Sequence, residues 1–218
     1  MVICEDILLS LGAKLDVYNP DDFIFHEGTQ AKYYFQIKLG TVKVNNFLED
    51  GKEFIHGFPF EGHCFGESYL FTDNMYAINA IALTTSEIFK VEKNIFLDLL
   101  VREPELLLKL NQYTADRMHF RYIMSSCLSI SDPLIKLVKL LDQLKKYFGF
   151  KEKYSFLVPY TRKHLASLIG LRVETVIRTI KKWKRKNLSK WTAARFIIDT
   201  ITPKERIICL LLIRRLVE

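Results

Sequence analysis

The 218-residue sequence predicts an α+β chain: an antiparallel β-roll of the jelly-roll or double-stranded β-helix kind, then a long helix, then a helix-turn-helix module. Three observations predict it. Seven of the nine glycines fall between Gly12 and Gly66, and Gly28, Gly40, Gly51 and Gly62 stand 11 or 12 residues apart, the rhythm of short strands joined by tight turns. After Asn94 the apolar residues recur at intervals of three and four, which is a helical period. Residues 160–188 read as two short helices about a glycine turn, and the second helix is strongly basic.

The roll elements follow in order. Tyr33 to Ile37 and Thr41 to Val44 are rich in aromatic and β-branched residues, and Asp50-Gly51 is a hairpin turn signal. A further strand pair, Ala77 to Leu83 and Glu87 to Val91, ends the β block near Lys93. A short helix to about Arg102 comes next, and past Pro104 a long helix carries Leu106, Leu110, Tyr113, Arg117, Phe120, Met124 and Cys127 at steps of four and three. That stripe has coiled-coil spacing. Packing on the same domain uses the same pattern; the choice falls on a dimer seam, because one helix-turn-helix makes few base contacts and two-fold pairing on paired half-sites is the usual remedy. Arg117 is assigned to setting register or to pairing with an acid such as Asp116 of a second subunit. Ser131-Asp132-Pro133 breaks the chain and caps a helix over 134–148, so the domain boundary is placed at about residue 131, giving domains 1–130 and 131–218.

In the last module Thr161 suits an N-cap, Leu165, Ala166 and Ile169 supply an apolar face, and Gly170 suits the left-handed residue that ends the helix. A second helix starts near Val173. Its Val176, Ile180 and Trp183 fall on one side, whereas Glu174, Arg178, Lys181 and Arg185 fall on the other. A solvated charged face is the plain reading of an isolated basic helix. Here residues 161–218 hold 15 Lys+Arg against 4 Asp+Glu, or +11, leaving 17 against 21, or −4, for residues 1–160. The net +7 is therefore a property of the C-terminal third, as when one module meets a polyanion and another does not.

Composition bounds the rest. No apolar run reaches the roughly 18 to 20 residues of a membrane span, and the opening MVICEDILLSLGAKLD carries acids where a secretion signal carries cations, so a soluble, cytoplasmic chain without a membrane partner is expected. Cys4, Cys64, Cys127 and Cys209 form no metal-type pair and are expected as buried reduced thiols; no metal site is expected. No nucleophile-base pair or phosphate loop stands at useful spacing, so an enzyme is not expected.

Phe25-His26-Glu27-Gly28, Tyr33 to Ile37, Gly40 to Val44, Glu61-Gly62-His63-Cys64-Phe65-Gly66-Glu67 and Val173 to Arg178, in this order, resemble the Crp/Fnr family of bacterial transcription regulators. The resemblance covers about residues 15–190. It implies a cyclic-nucleotide-binding-like roll, a dimerisation helix over about 104–130 and a winged helix-turn-helix, with double-stranded DNA, a second copy and RNA polymerase as partners. In the family's cyclic-nucleotide binders a glutamate after the FG turn holds the ribose, an Arg-Ser pair the cyclic phosphate, and hydroxyl residues of the dimer helix the base. Only Glu67 matches; Tyr76 and Ala77 stand for Arg-Ser, and Arg121 and Tyr122 for the helix positions. A phosphate without a guanidinium loses its charge-assisted contacts, so cyclic AMP is not expected as effector. Glu67 is then read as a fold-supporting carboxylate that accepts backbone amides. An iron-sulfur cluster needs grouped cysteines, and Cys4 stands alone near the N-terminus. Haem needs an axial ligand, for which His26, His56, His63 and His119 are isolated histidines of the kind that more commonly pack or face solvent, so no cofactor is predicted. Glu67, Tyr76, Ala77, Arg121 and Tyr122 remain the pocket for some other small effector, and a regulator without an effector stays equally open.

The family's Fnr-like members read a TTGA-like half-site with Val-Glu-x-x-x-Arg, which Val173, Glu174 and Arg178 reproduce. Arg178 suits a guanine O6 and N7, and Glu174 a cytosine N4 or the orientation of Arg178. Arg162, Lys163, Lys181, Lys182, Arg185 and Lys186 are assigned to phosphates. Arg172 stands where a capping Ser or Thr is usual, and residues 188–198 hold no glycine for a wing hairpin. Those departures leave a second reading, a ligand-sensing protein that acts by protein contact and whose helix-turn-helix has lost function. The tail 203–218, helical in pattern, is expected to pack on the last module or between subunits.

Overall fold

The computed structural model describes residues 1–149, 156–158, 160–185 and 196–197. It forms two compact units, Met1–Met118 and the chain from His119 onward. The first unit opens with helix α1 (Glu5–Ser10) and then holds eight strands: β1 (Lys14–Tyr18), β2 (Phe23–Phe25), β3 (Tyr33–Leu39), β4 (Val42–Phe47), β5 (Glu53–Gly57), β6 (Cys64–Phe65), β7 (Asn79–Ala82) and β8 (Ser86–Glu92). They make two four-stranded antiparallel sheets, ordered β1-β8-β3-β6 and β2-β7-β4-β5, around one shared apolar core. The predicted strands are all present. The turn at Asp50-Gly51 joins β4 to β5, and the Leu48 N–H donates to the Lys52 carbonyl at 2.8 Å. A 3-10 helix, Glu67–Phe71, follows β6.

β3 shows no polar alternation because both its faces are covered. Helix α2 (Lys93–Arg102) sets Phe96 against Tyr34 with ring centroids 4.1 Å apart, and Gln36, fully buried, exchanges two hydrogen bonds with the Ile3 backbone at 2.9 and 2.7 Å. A buried amide so matched costs little, whereas an unmatched one costs about 1–3 kcal/mol.

Helix α3 (Pro104–Leu128) corrects the expected seam. Leu110, 2% exposed, belongs to the core of the roll, and Leu106 and Tyr113 pack beside it. Arg117 turns onto the same unit, while Met124 and Cys127 are buried further along. Leu106, Leu110, Tyr113 and Arg117 of the stripe read as lying between subunits are thus spent within the first unit, since the open flank of the roll supplies surface to cover them. The exposed side of α3 instead carries Leu108, Asn111, Ala115, Met118 and Tyr122, also at steps of three and four.

In the second unit, the Asp132 carboxylate caps helix α4 (Pro133–Tyr147) by accepting the Leu134 and Ile135 amides, both at 2.9 Å. Lys136 donates to the Leu128 carbonyl at 2.9 Å, setting a cation on the negative end of α3. The Phe120 ring lies 4.6 Å from Tyr147, so the C-terminal part of α3 belongs with α4. This is why the compact units divide inside α3 rather than at the break near 131. Strands β9 (Phe156–Leu157) and β10 (Phe196–Ile197) pair in parallel. Helices α5 (Arg162–Leu168) and α6 (Val173–Arg185) complete the described chain. The remainder of the expected wing, the tail and Cys209 lie outside the described residues. Among the described residues no helix is long and apolar enough to cross a membrane. Cys64 and Cys127 are buried, but Cys4, expected buried, is exposed.

Candidate nucleic-acid interface and roll interior

The turn between α5 and α6 is built as the residue types dictate. The Thr161 hydroxyl accepts the His164 amide at 3.0 Å, an N-cap worth about 1 kcal/mol. Gly170 takes φ +64°, and the Leu171 amide reaches back to the Ala166 carbonyl at 3.0 Å, closing α5 with a Schellman bond. α6 starts without a side-chain cap at Arg172, whose carbonyl accepts the Thr175 and Val176 amides at 3.0 and 3.2 Å. Arg172 itself is exposed.

α6 buries one side and offers the other. Val176, Ile180 and Trp183 are 0%, 2% and 4% exposed, whereas Glu174, Arg178, Lys181 and Lys182 are exposed. Lys163 is exposed and Arg162 half-buried on α5. Among the described residues none of these charged groups joins an ion pair, so Arg178 is held by neither Glu174 nor any other acid. Arg185 is the last residue of α6, and Lys186 lies outside the described residues.

The structure adds residues that sequence reasoning missed. A groove of about 380 Å³ beside α6 is lined by Asp132, Leu134, Thr175, Arg178, Thr179 and Lys182, among others. It brings the Asp132-capped start of α4 beside the outward edge of α6, where Arg178 and Lys182 stand. The spacing of Thr175, Arg178, Thr179 and Lys182 along one helical edge was the available signal.

The first unit has its own polar centre. Gly66 takes φ +72°, and a Cβ there would stand 3.0 and 3.1 Å from the rings of Phe25 and Tyr76. The chain thereby turns Glu67 inward, where it is 2% exposed. Arg117 of α3 donates to both its carboxylate oxygens at 2.8 and 3.0 Å and to the Cys64 carbonyl at 3.2 Å. Thr114 adds a contact to Glu67 at 3.4 Å, and the Tyr113 hydroxyl donates to the Cys64 carbonyl at 3.0 Å. The expected partners of both residues are therefore corrected. Glu67 accepts a guanidinium and a hydroxyl rather than backbone amides, and Arg117 pairs within its own chain rather than with an acid of a second subunit. Burial disfavours the Arg117 charge, but the Glu67 carboxylate outweighs it and holds the cation firmly. Burial, then Glu67, pushes the Cys64 thiol well up, out of the range of a reactive thiolate.

Of the expected effector positions, Tyr76 lies inside the roll, 3% exposed and stacked on Phe25 with centroids 3.8 Å apart. Its hydroxyl is buried without a hydrogen-bond partner among the described residues. Burial, then Glu67, raises the Tyr76 pKa, so the phenol stays protonated. Ala77 faces out, and its carbonyl accepts from Asn46 at 2.6 Å. Arg121 and Tyr122 are exposed side chains of the second unit. His63 packs against Phe60 and Tyr113, His26 stacks on Phe23 and His56 bonds Asn46. Among the described residues no group of three or more His, Cys, Asp or Glu is placed to hold a metal.

Two family models match the chain in succession: the cyclic nucleotide-binding domain over residues 15–103 and the Crp-like helix-turn-helix domain over residues 135–201. The transcriptional activatory protein AadR of Rhodopseudomonas palustris is 25% identical over 175 residues, covering 78% of this chain and 71% of the relative. The cAMP-activated global transcriptional regulator CRP of Salmonella typhimurium is 25% identical over 173 residues, covering 78% and 82%. The solved structure of the c-di-GMP responsive global regulator CLP of Xanthomonas campestris aligns with a TM-score of 0.70 at 19% identity, over 84% of this chain and 94% of that one. A cyclic-nucleotide-binding-type roll, a long helix and a Crp-like DNA-binding module in one chain, with relatives that regulate transcription, mean that this protein belongs to the Crp/Fnr family of transcription regulators.

Proposed function

We propose that the protein works as a homodimer on a palindromic site with TTGA-like half-sites, each subunit laying α6 in a major groove. The observation that carries this is the division of α6: with Val176, Ile180 and Trp183 buried, Glu174 and Arg178 stand exposed and unpaired among the described residues. Arg178 donates to a guanine edge, Glu174 accepts from a cytosine, and Arg162, Lys163, Lys181, Lys182, Arg185 and Lys186 neutralise phosphates. Two copies meet along the exposed side of α3, where Leu108, Asn111, Ala115, Met118 and Tyr122 keep heptad spacing. Bound to its site, the dimer acts on transcription through RNA polymerase in the cytoplasm.

Cyclic AMP is not the effector in this reading. Tyr76, which the resemblance matches to the phosphate-binding arginine, is a phenol stacked on Phe25 and offers no charge-assisted contact, and Arg117 is already committed to Glu67. Calorimetry is expected to show no micromolar binding of cyclic AMP. The reading in which the helix-turn-helix has lost function draws no support from α5, its turn or the outward edge of α6. Selection of bound sequences from random duplex DNA by the purified chain tests the proposal: inverted TTGA-like repeats are expected, and recovery of unenriched DNA would reject it.

A further inference from the structure

The buried pair of the first unit joins the roll to α3, since Glu67 opens the 3-10 helix after β6 and Arg117 belongs to α3. One guanidinium nitrogen, Nη1, meets three oxygens, the two of Glu67 and the carbonyl of Cys64, at 2.8, 3.0 and 3.2 Å. The guanidinium carbon stands 5.4 Å from the centroid of the Tyr113 ring. Against Gly66, next to Glu67, lie the rings of Phe25 and Tyr76, stacked at 3.8 Å, and Tyr69 meets Tyr76 edge-on at 5.2 Å. We infer that Arg117 is the built-in ligand of the roll: its tethered guanidinium takes the place of a small-molecule effector, so α3 is joined to the roll, and the protein competent for DNA, without a signal molecule.

The charges of the polar centre decide this. A molecule that uses Glu67 must displace Arg117 and strand that cation without its partner, which is the costly way to break a buried pair. An anionic molecule finds the guanidinium already spent on Glu67. A cationic one competes with a group on the same chain, whose effective concentration is on the order of millimolar. The Tyr76 hydroxyl, buried without a partner among the described residues, is a single unspent donor, and one hydrogen bond does not offset the loss of the pair. Control then falls on how much of the protein is made. The inference rests on the chain being a DNA-binding regulator, not on which bases α6 reads.

Arg117→Ala removes the tethered group, and N-ethylguanidinium supplies the missing atoms. In this variant the amides of residues 64–67 and 113–118 should lose at least tenfold of their protection from exchange, and ethylguanidinium at about 20 mM should restore most of it, because it binds the folded chain and not the unfolded one. Sodium chloride at the same concentration should restore none, and Glu67→Gln combined with Arg117→Ala should not respond. The parent should be unchanged by ethylguanidinium or cyclic AMP. A parent chain unfolded in urea, dialysed and refolded has shed any bound small molecule, and should bind duplex DNA within threefold of the native preparation. Three results would each overturn the inference: Arg117→Ala protected like the parent, Arg117→Ala not restored by ethylguanidinium, or a refolded parent at least tenfold weaker that its dialysed small molecules restore. Exchange reads the tether without DNA, so a failure of the α6 reading and a failure of this one are told apart.

Discussion

Replacing Arg117 by Met leaves the Glu67 carboxylate, 2% exposed, in the roll without the guanidinium that holds both its oxygens at 2.8 and 3.0 Å. Removing one partner of a buried ion pair typically costs 3–5 kcal/mol, because the other charge stays desolvated and uncompensated. The Thr114 hydroxyl at 3.4 Å offsets little of this. For a chain of this length about 1 kcal/mol moves the melting temperature by roughly 2–4 °C, so a loss of roughly 6–20 °C is expected. Glu67→Gln combined with Arg117→Met leaves no buried charge and should recover most of the loss. The double-mutant cycle is completed by Glu67→Gln alone and read by urea unfolding followed by circular dichroism. Amide exchange at residues 64–67 and 113–118 localises the effect to the roll. If Arg117→Met lies within about 1 kcal/mol of the parent, or if the double variant is no more stable than Arg117→Met, the pair does not carry the weight assigned to it.

Three further outcomes follow from the same structure. His63, pulled down to about 4 by burial and by the Arg117 guanidinium, is neutral when folded and binds a proton more readily when unfolded. Its contribution is therefore full above pH 6.5 and falls by up to about 3 kcal/mol as pH drops from 6.5 to 4, and His63→Phe should flatten the stability profile in that window. Met118→Glu places a carboxylate on the exposed side of α3 in each of two copies and should convert the dimer to monomer in sedimentation at micromolar concentration; an unchanged dimer would locate the interface elsewhere. With six phosphate contacts, the affinity of one module for duplex DNA should fall about 10³-fold between 50 and 200 mM salt, and a tenfold or smaller fall would show that most of the assigned cations face solvent.

What the sequence alone made legible is local. The spacing of Gly28, Gly40, Gly51 and Gly62 marked the strands because each sits at a turn with positive φ. Thr161, Gly170, Asp132 and Pro133 marked helix ends because capping is decided within a few residues. The buried pair was not legible: Arg117 and Glu67 are 50 residues apart, and no local pattern joins them. Nor does periodicity say which side of α3 the roll covers. Leu106, Leu110 and Tyr113 fit a heptad, and so do Leu108, Ala115 and Met118; only the roll beside the helix decides which stripe is covered. Tyr76 and Ala77 are neighbours in sequence but face opposite ways, so a two-residue motif carried over from relatives maps onto one buried ring and one exposed methyl.

The most direct test of the central claim, that the Glu174/Arg178 edge of α6 reads bases, is the affinity of Arg178→Ala for a palindromic TTGA-type duplex and for a scrambled one at the same salt. The account predicts a loss of about 1–3 kcal/mol on the palindrome, close to none on the scrambled duplex, and relaxed preference at one base pair per half-site. An equal loss on both would make Arg178 a phosphate contact and contradict the claim.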